Sequence, residues 1–281
     1  MHVVNTRSFG FQGHELHYEE HGSGERVVVL LHGLLLDANV NRGLARACAS
    51  HGYRVILLDL LGHGRSDKPE DARLHRFDRY AEQVVALLDH LKIDKAVIGG
   101  VSLGACVSLQ VAVMAPERMH GLIVEMPVME NATPFAALLF VPLLLGVQFG
   151  GRVARWTSKL WSRVPRTRVD TLNSVLNLLS APPEVTVAVL HGILVGPVAP
   201  DIERRRGISV PTLVIGHKRD MLHPFTDATD LVDEIPGARF LEAKSLLELR
   251  LRPGRLTPQI LDFLGGIIFD SGRKRARRAS S

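Results

Sequence analysis

Residues 99–105, Gly-Gly-Val-Ser-Leu-Gly-Ala, constrain the fold of this chain more than any other stretch. An apolar, β-branched segment (residues 96–98) precedes them, and small and apolar residues (103–115) follow. The pattern predicts a strand, a sharp turn and a helix, with Ser102 at the turn. Glycines two residues either side of Ser102 give G-x-S-x-G, and only glycine lets a strand and a helix approach so closely. Such a turn exposes the serine hydroxyl beside backbone N–H groups that can stabilise an oxyanion. The alternative interpretation is an ordinary Gly-Ser turn.

The segments on either side of this stretch predict an α/β fold. Continuous apolar runs, which suit strands covered on both faces, alternate with helical patterns. An opening hairpin is predicted over residues 9–20 and part of a closing helix over residues 260–269. The runs predict strands over 26–33, 53–58, 96–98, 121–126, 210–216 and 238–243. We therefore expect a mostly parallel central sheet with helices on both faces.

The alternation stops between residues 127 and 207, where we expect a helical insertion. Residues 131–151 contain no charged side chain. Three interpretations stay open: an apolar lid over a pocket, docking on a lipid surface, and a membrane-spanning helix. Two prolines and a glycine, at 134, 142 and 146, argue against one continuous span. As a lid, the segment offers Phe135, Leu139 and Leu143 as tentative substrate contacts. The predicted organisation is a core over 1–126, a cap over 127–207, the rest of the core over 208–269 and a basic, disordered tail over 270–281.

The charge distribution bears on partners and location. The formal net charge is +5, but residues 273–278 alone carry five positive charges, so the rest of the chain is near neutral. We therefore expect no nucleic-acid partner. Two isolated cysteines, Cys48 and Cys106, favour a reducing, cytoplasmic location. The apolar segment together with the basic tail also allows contact with an anionic membrane. No phosphate-binding loop or spaced set of metal ligands occurs, so we expect no cofactor and no metal. The oligomeric state stays open.

Four features in sequence order resemble the α/β-hydrolase fold family. Leu31-His32-Gly33 resembles the turn that carries one oxyanion donor, which the resemblance assigns to the Leu34 N–H. Residues 59–66 match the D-x-x-G-x-G-x-S turn of many such enzymes. Residues 100–104 match the nucleophile elbow, so that Ser102 is the expected nucleophile and the Leu103 N–H the second donor. Residues 216–220 match the loop that carries the triad acid, which implies Asp220; Glu125 is the second choice for the acid.

The expected base is where the chain departs from the family. The family order is Ser, acid, His, with the histidine after the last strand. No histidine follows His223 here, and Ser245 or Leu246 occupies the expected position. His223, which follows Asp220 by three residues, is the first candidate base. His32, Glu242 and Glu248 are the others.

Two functional hypotheses follow from these features. In the first, the protein is a serine hydrolase that acts on an apolar ester or a related acyl substrate through Ser102 and an oxyanion hole. In the second, it is a catalytically degenerate member of the family that binds a hydrophobic small molecule or partner. The elbow favours the first hypothesis, and the missing downstream histidine favours the second.

Overall fold

One eight-stranded sheet organises the computed structural model, which describes residues 5–269 apart from Arg219 and Met221. Its strands, numbered in chain order, are β1 (Asn5–Phe11), β2 (His14–His21), β3 (Arg26–Leu31), β4 (Tyr53–Leu58), β5 (Ala96–Val101), β6 (Met119–Glu125), β7 (Thr212–Gly216) and β8 (Arg239–Glu242). Across the sheet they lie in the order β1-β2-β4-β3-β5-β6-β7-β8. Strands β1 and β2 form the predicted hairpin, β2 runs antiparallel to β4, and all other pairs are parallel. The predicted mostly parallel sheet is therefore confirmed.

Helices cover both faces of the sheet because its central strands are apolar on both sides. In β3, Val28 and Leu30 pack on one face, whereas Val29 and Leu31 pack on the other. The helices of the core are α1 (Arg42–Ser50), α2 (Phe77–His90), α3 (Leu103–Met114), α8 (Phe225–Glu234), α9 (Glu248–Leu251) and α10 (Leu256–Gly265). Helices α1, α9 and α10 lie on the first face, and α2, α3 and α8 lie on the second. The closing helix α10 lies four residues earlier than predicted.

Four helices lie between β6 and β7, where the sequence predicts the cap. They are α4 (Thr133–Ser162), α5 (Asp170–Leu179), α6 (Pro183–Leu194) and α7 (Ile202–Arg206). Helix α4 has 30 residues and contains Pro142, and its backbone breaks at Gly151, where φ is +23°. By length and composition α4 could cross a membrane, with a mean hydropathy of 1.8 in its most apolar window. The basic segment 270–281, predicted to be disordered, lies outside the described residues.

Buried charges join the cap to the core. The Asp227 carboxylate of α8 accepts hydrogen bonds from the N–H groups of Met129, Asn131 and Ala132, which fixes the chain just before α4.

Arg42 of α1 links the hairpin to the cap. It pairs with Glu19 at 2.5 Å and with Asp170 of α5 at 3.0 Å. Burial alone would raise the pKa of Glu19, but hydrogen bonds from Arg42 and His21 outweigh it and lower this pKa to about 2.

Candidate active site

The turn between β5 and α3 presents Ser102 at the carboxyl end of the central strand β5. Ser102 has φ +53° and ψ −112°, a strained conformation for a residue with a side chain. The flanking glycines are required by close backbone contacts. A Cβ at Gly100 would lie 2.6 Å from the Gly104 carbonyl carbon, and one at Gly104 would lie 2.5 Å from the Leu31 oxygen. The strand–turn–helix prediction over residues 96–115 is thus confirmed.

Ser102, His223 and Asp220 form a continuous chain of hydrogen bonds. His223 Nε2 lies 2.9 Å from Ser102 Oγ, and His223 Nδ1 lies 2.6 Å from Asp220 Oδ2. The imidazole is 7% exposed. The structure therefore brings together three residues that the sequence proposes as nucleophile, base and acid.

The loop after β7 holds the acid and the histidine in one short turn. The Leu222 N–H donates to Asp220 Oδ1 at 2.8 Å, which leaves Oδ2 to face His223. Burial raises the pKa of Asp220, but the hydrogen bond and charge of His223, together with hydrogen bonds from the backbone N–H groups of Leu222 and His223, outweigh it and hold this pKa well below its usual range. An ionised Asp220 requires a proton on His223 Nδ1, so Nε2 is left as an acceptor facing the serine hydroxyl.

A second imidazole, which the sequence analysis missed, lies beside the same carboxylate. His217 is buried, and its Nε2 is 3.3 Å from Asp220 Oδ2. The signal that could have found it is its position directly after β7, at the carboxyl end of the strand, three residues before Asp220.

The two predicted oxyanion donors lie next to Ser102. Gly33 packs against the serine, since a Cβ at Gly33 would lie 3.8 Å from Ser102 Cβ. Leu34 follows Gly33, and Leu103 is the first residue of α3. Both side chains reach the apolar space around Ser102, and within the described residues neither N–H donates a hydrogen bond. These two N–H groups are therefore available to an oxygen bound at the serine.

His32 is excluded as a base by its backbone contacts. Its Nδ1 lies 2.8 Å from the Gly33 oxygen, and its Nε2 accepts the Leu60 N–H at 3.1 Å. Because both ring nitrogens are occupied, His32 stabilises the turn before Leu34. The nearby Asp59 carboxylate also accepts two backbone N–H bonds, from Ala38 and Arg65.

The two remaining candidate bases, both glutamates, lie outside the cavity that contains Ser102. Glu242 pairs with Lys218 at 3.1 Å, and Glu248 pairs with Arg255 at 2.8 Å. Neither carboxylate contacts Ser102, because each is held in an ion pair with a neighbouring cation outside the cavity.

The second-choice acid, Glu125, forms a buried ion pair instead. Its partner is Arg250 of α9, which also donates to the Asn41 side chain at 3.1 Å. Arg250 lines the cavity and is a functional-site residue that the sequence analysis missed. The signal that could have indicated it is Glu125 itself, because a carboxylate buried at the end of a strand requires a cationic partner.

Above Ser102 lies a mostly apolar cavity of about 600 Å³ between the core and the cap. Of the three tentative lid contacts, Leu139 and Leu143 line it, but Phe135 does not. Phe135 lies one turn before Leu139, at the start of α4, and is 43% exposed. The position at which the family carries its histidine contributes apolar contacts, because Leu246 and Leu247 line the same cavity.

Other nucleophiles and metal ligands have no comparable setting in the described part of the chain. Burial raises the pKa of both thiols, Cys48 and Cys106, to about 12, so neither is a reactive thiolate at neutral pH. Residues 5–269, without Arg219 and Met221, contain no group of three or more His, Cys, Asp or Glu arranged for a metal.

Comparisons with known proteins agree with this fold. A family model described as "alpha/beta hydrolase fold" matches residues 26–161. The dihydrolipoyllysine-residue acetyltransferase component of the acetoin cleaving system of Pseudomonas putida is 44% identical over 107 residues, which are 37% of this chain and 28% of that protein. An epoxide hydrolase of Caballeronia sordidicola is 39% identical over 119 residues, 42% of this chain and 36% of that protein.

The likeness to solved structures extends over nearly the whole chain. The enol-lactonase from Burkholderia xenovorans LB400 superposes with a TM-score of 0.75 at 22% identity, covering 92% of this chain and 100% of that one. At this level of identity the match shows a shared fold. The chain spans only about a third of the length of the two curated relatives above.

Proposed function

We propose that this chain, which has the α/β-hydrolase fold, is a serine hydrolase that cleaves apolar esters or related acyl compounds. The observation that carries the proposal is the contact of 2.9 Å between His223 Nε2 and Ser102 Oγ, backed by Asp220 at 2.6 Å. The family relatives include hydrolases, among them the epoxide hydrolase and the enol-lactonase. A serine at the elbow favours acyl chemistry over the aspartate-dependent opening of epoxides.

The proposed reaction has two halves. Ser102 Oγ attacks the carbonyl carbon while His223 Nε2 accepts the hydroxyl proton, and Asp220 stabilises the resulting imidazolium. The N–H groups of Leu34 and Leu103 bind the oxyanion of the tetrahedral intermediate. His223 then donates its proton to the leaving alkoxide, which departs and leaves an acyl-Ser102 ester. Water, activated by His223, hydrolyses that ester and regenerates the serine.

The cavity supports an apolar substrate. Leu139, Leu143 and Leu246 line it from the cap and from the segment after β8. Among the described residues of its wall, Arg250 is the one permanently charged side chain, and it is already paired with Glu125. An acyl chain is therefore the part of a substrate that this space accommodates best.

A fluorophosphonate probe tests the proposal directly. We expect a covalent adduct on Ser102, mapped by mass spectrometry, and its loss in Ser102→Ala and His223→Ala. The matched control is Ser158→Ala, because Ser158 lines the same cavity but donates its hydroxyl to the Ser180 and Ala181 carbonyls. An unlabelled but folded protein would refute the proposal and favour the alternative, a non-catalytic protein that binds an apolar ligand.

A further inference from the structure

The outer face of α4, defined here by Leu138, Phe149 and Trp156, exposes more apolar surface than a helix that only covers the cavity requires. Ala136 is the only buried residue of this 30-residue helix. Leu138 is 72% exposed, Phe149 81% and Trp156 66%. None of these three side chains lines the cavity. Contiguous exposed apolar surface of this kind marks an interaction site.

The charges of the same region have one sign. No Asp or Glu occurs from residue 131 to residue 169, whereas six Arg and Lys residues do. Arg152, Lys159 and Arg163 are exposed and form no ion pair with any described residue. Both tryptophans of the chain, Trp156 and Trp161, also belong to α4.

The second half of α4, after the break at Gly151, arranges these side chains in adjacent rows. Apolar residues recur at i, i+3 and i+7, and cations recur beside them at i, i+7 and i+11. The apolar row is Val153, Trp156 and Leu160, and the cationic row is Arg152, Lys159 and Arg163. Tryptophan and apolar side chains beside arginine and lysine are typical of a helix that lies in the plane of an anionic membrane surface.

Two other occupants fit this face less well. A second copy packed about a two-fold axis would bring the same cations against each other. A membrane-spanning helix over the uncharged residues 131–151 would withdraw Leu139 and Leu143 from the protein and so remove the roof of the cavity that they line.

We propose that the outer face of α4 lies on an anionic membrane surface and that the cavity takes its acyl substrate from that surface. The second half of this inference rests on the proposed function. Leu139 and Leu143 line the cavity, whereas Leu138 of the same turn is 72% exposed and does not line it, so α4 alone separates the cavity from the docking face at this point. Displacing Leu139 and Leu143 would open a path between the membrane and Ser102.

Vesicle sedimentation tests the docking face without catalysis. Ser102→Ala protein is mixed with vesicles of phosphatidylcholine, alone or with added phosphatidylglycerol. We expect binding that requires phosphatidylglycerol. The changes Phe149→Glu and Trp156→Glu together should weaken it by more than about tenfold. Changing Arg152, Lys159 and Arg163 to Gln should weaken it by roughly 100-fold.

The matched control places the same charges on exposed apolar residues outside α4, in Met114→Glu with Ile268→Glu. All variants keep residues 270–281, so the basic tail cannot explain a difference between them. The proposal that α4 docks on a membrane would be overturned if the protein did not bind vesicles, or if the control variant lost as much vesicle binding as the α4 variants. Light scattering that shows a dimer broken by the Phe149 and Trp156 changes would overturn it too.

Substrate capture is measured separately, in protein with an intact Ser102. We expect Phe149→Glu with Trp156→Glu to keep hydrolysis of a short water-soluble ester and to lose hydrolysis of an ester carried in phosphatidylglycerol vesicles. If the double variant hydrolyses the vesicle-borne ester as fast as the protein without these changes does, capture from the membrane is overturned while docking stays intact. A protein that binds vesicles but forms no Ser102 adduct would refute the serine hydrolase and not the docking face.

Discussion

Replacing Asp220 by asparagine should reverse the proton arrangement of the site with little change in its shape. The Leu222 N–H already donates to Oδ1 at 2.8 Å, so the asparagine oxygen will stay there. The new NH₂ group then occupies the Oδ2 position, 2.6 Å from His223 Nδ1. Because an NH₂ group can only donate, Nδ1 becomes the acceptor and Nε2 carries the proton. A protonated Nε2 cannot accept the proton of Ser102.

The expected cost follows from this tautomer change. In serine proteases the equivalent replacement lowers kcat by about 10⁴-fold, which is about 5.4 kcal/mol of transition-state stabilisation. We expect a loss of similar size for Asp220→Asn in the hydrolysis of a p-nitrophenyl acyl ester, with KM nearly unchanged. The rate at which a fluorophosphonate labels Ser102 should fall in parallel.

Asp201→Asn provides the matched control. Asp201 caps α7 by accepting the Arg204 N–H, and asparagine caps a helix equally well. This variant should keep wild-type kinetics. Activity of Asp220→Asn within about tenfold of wild type, in a protein with unchanged melting temperature, would refute the assignment of the His223 tautomer to Asp220.

Three further predictions concern stability. Arg250→Met leaves the buried Glu125 carboxylate unpaired, so urea denaturation should show a loss of about 3–5 kcal/mol, most of it recovered in Arg250→Met with Glu125→Leu; equal losses in both would contradict the ion-pair argument. Gly104→Ala should cost at least about 1–3 kcal/mol because its Cβ meets the backbone of β3, whereas Gly43→Ala, with nothing within 4 Å, should be neutral or slightly stabilising. Glu19 has a folded pKa of about 2, below its unfolded value, so it contributes stability above about pH 4.5 that is lost as the pH falls toward 2. This contribution is at most about 3 kcal/mol, and Glu19→Gln should flatten the dependence of the free energy of unfolding on pH in this range; an unchanged slope would refute it.

The elbow was readable from the sequence because its geometry is local. Gly100 and Gly104 are set by contacts within a few residues and with the neighbouring strand, and G-x-S-x-G records both. Apolar runs fixed the central strands for the same reason, since burial on both faces leaves a run without polar positions. The boundaries of α10 differ from the prediction because its ends carry no strong cap signal.

The base was harder to predict because the sequence gives no distance between side chains. His223, His32 and two glutamates all satisfied the residue type, and only the fold shows that His32 is held by backbone groups. The partner of Glu125 could not be predicted from the sequence, since Arg250 lies 125 positions away in the chain. The missed contribution of His217 has the same origin, because its approach to Asp220 depends on how one loop turns back on itself.

The confinement of Asp220 and His223 to one loop has a consequence for how such a site can be altered. In an arrangement with the histidine after β8, two loops must keep their relative position for the proton to move. Here Asp220 and His223 lie within four consecutive positions of the loop between β7 and α8, so a movement of this loop moves both groups together. Leu246 and Leu247, which follow β8, therefore have no part in holding these two groups, and both line the cavity. We expect these two positions to accept substitutions that change the preferred acyl chain while the hydrogen bonds from Ser102 to His223 and from His223 to Asp220 stay intact.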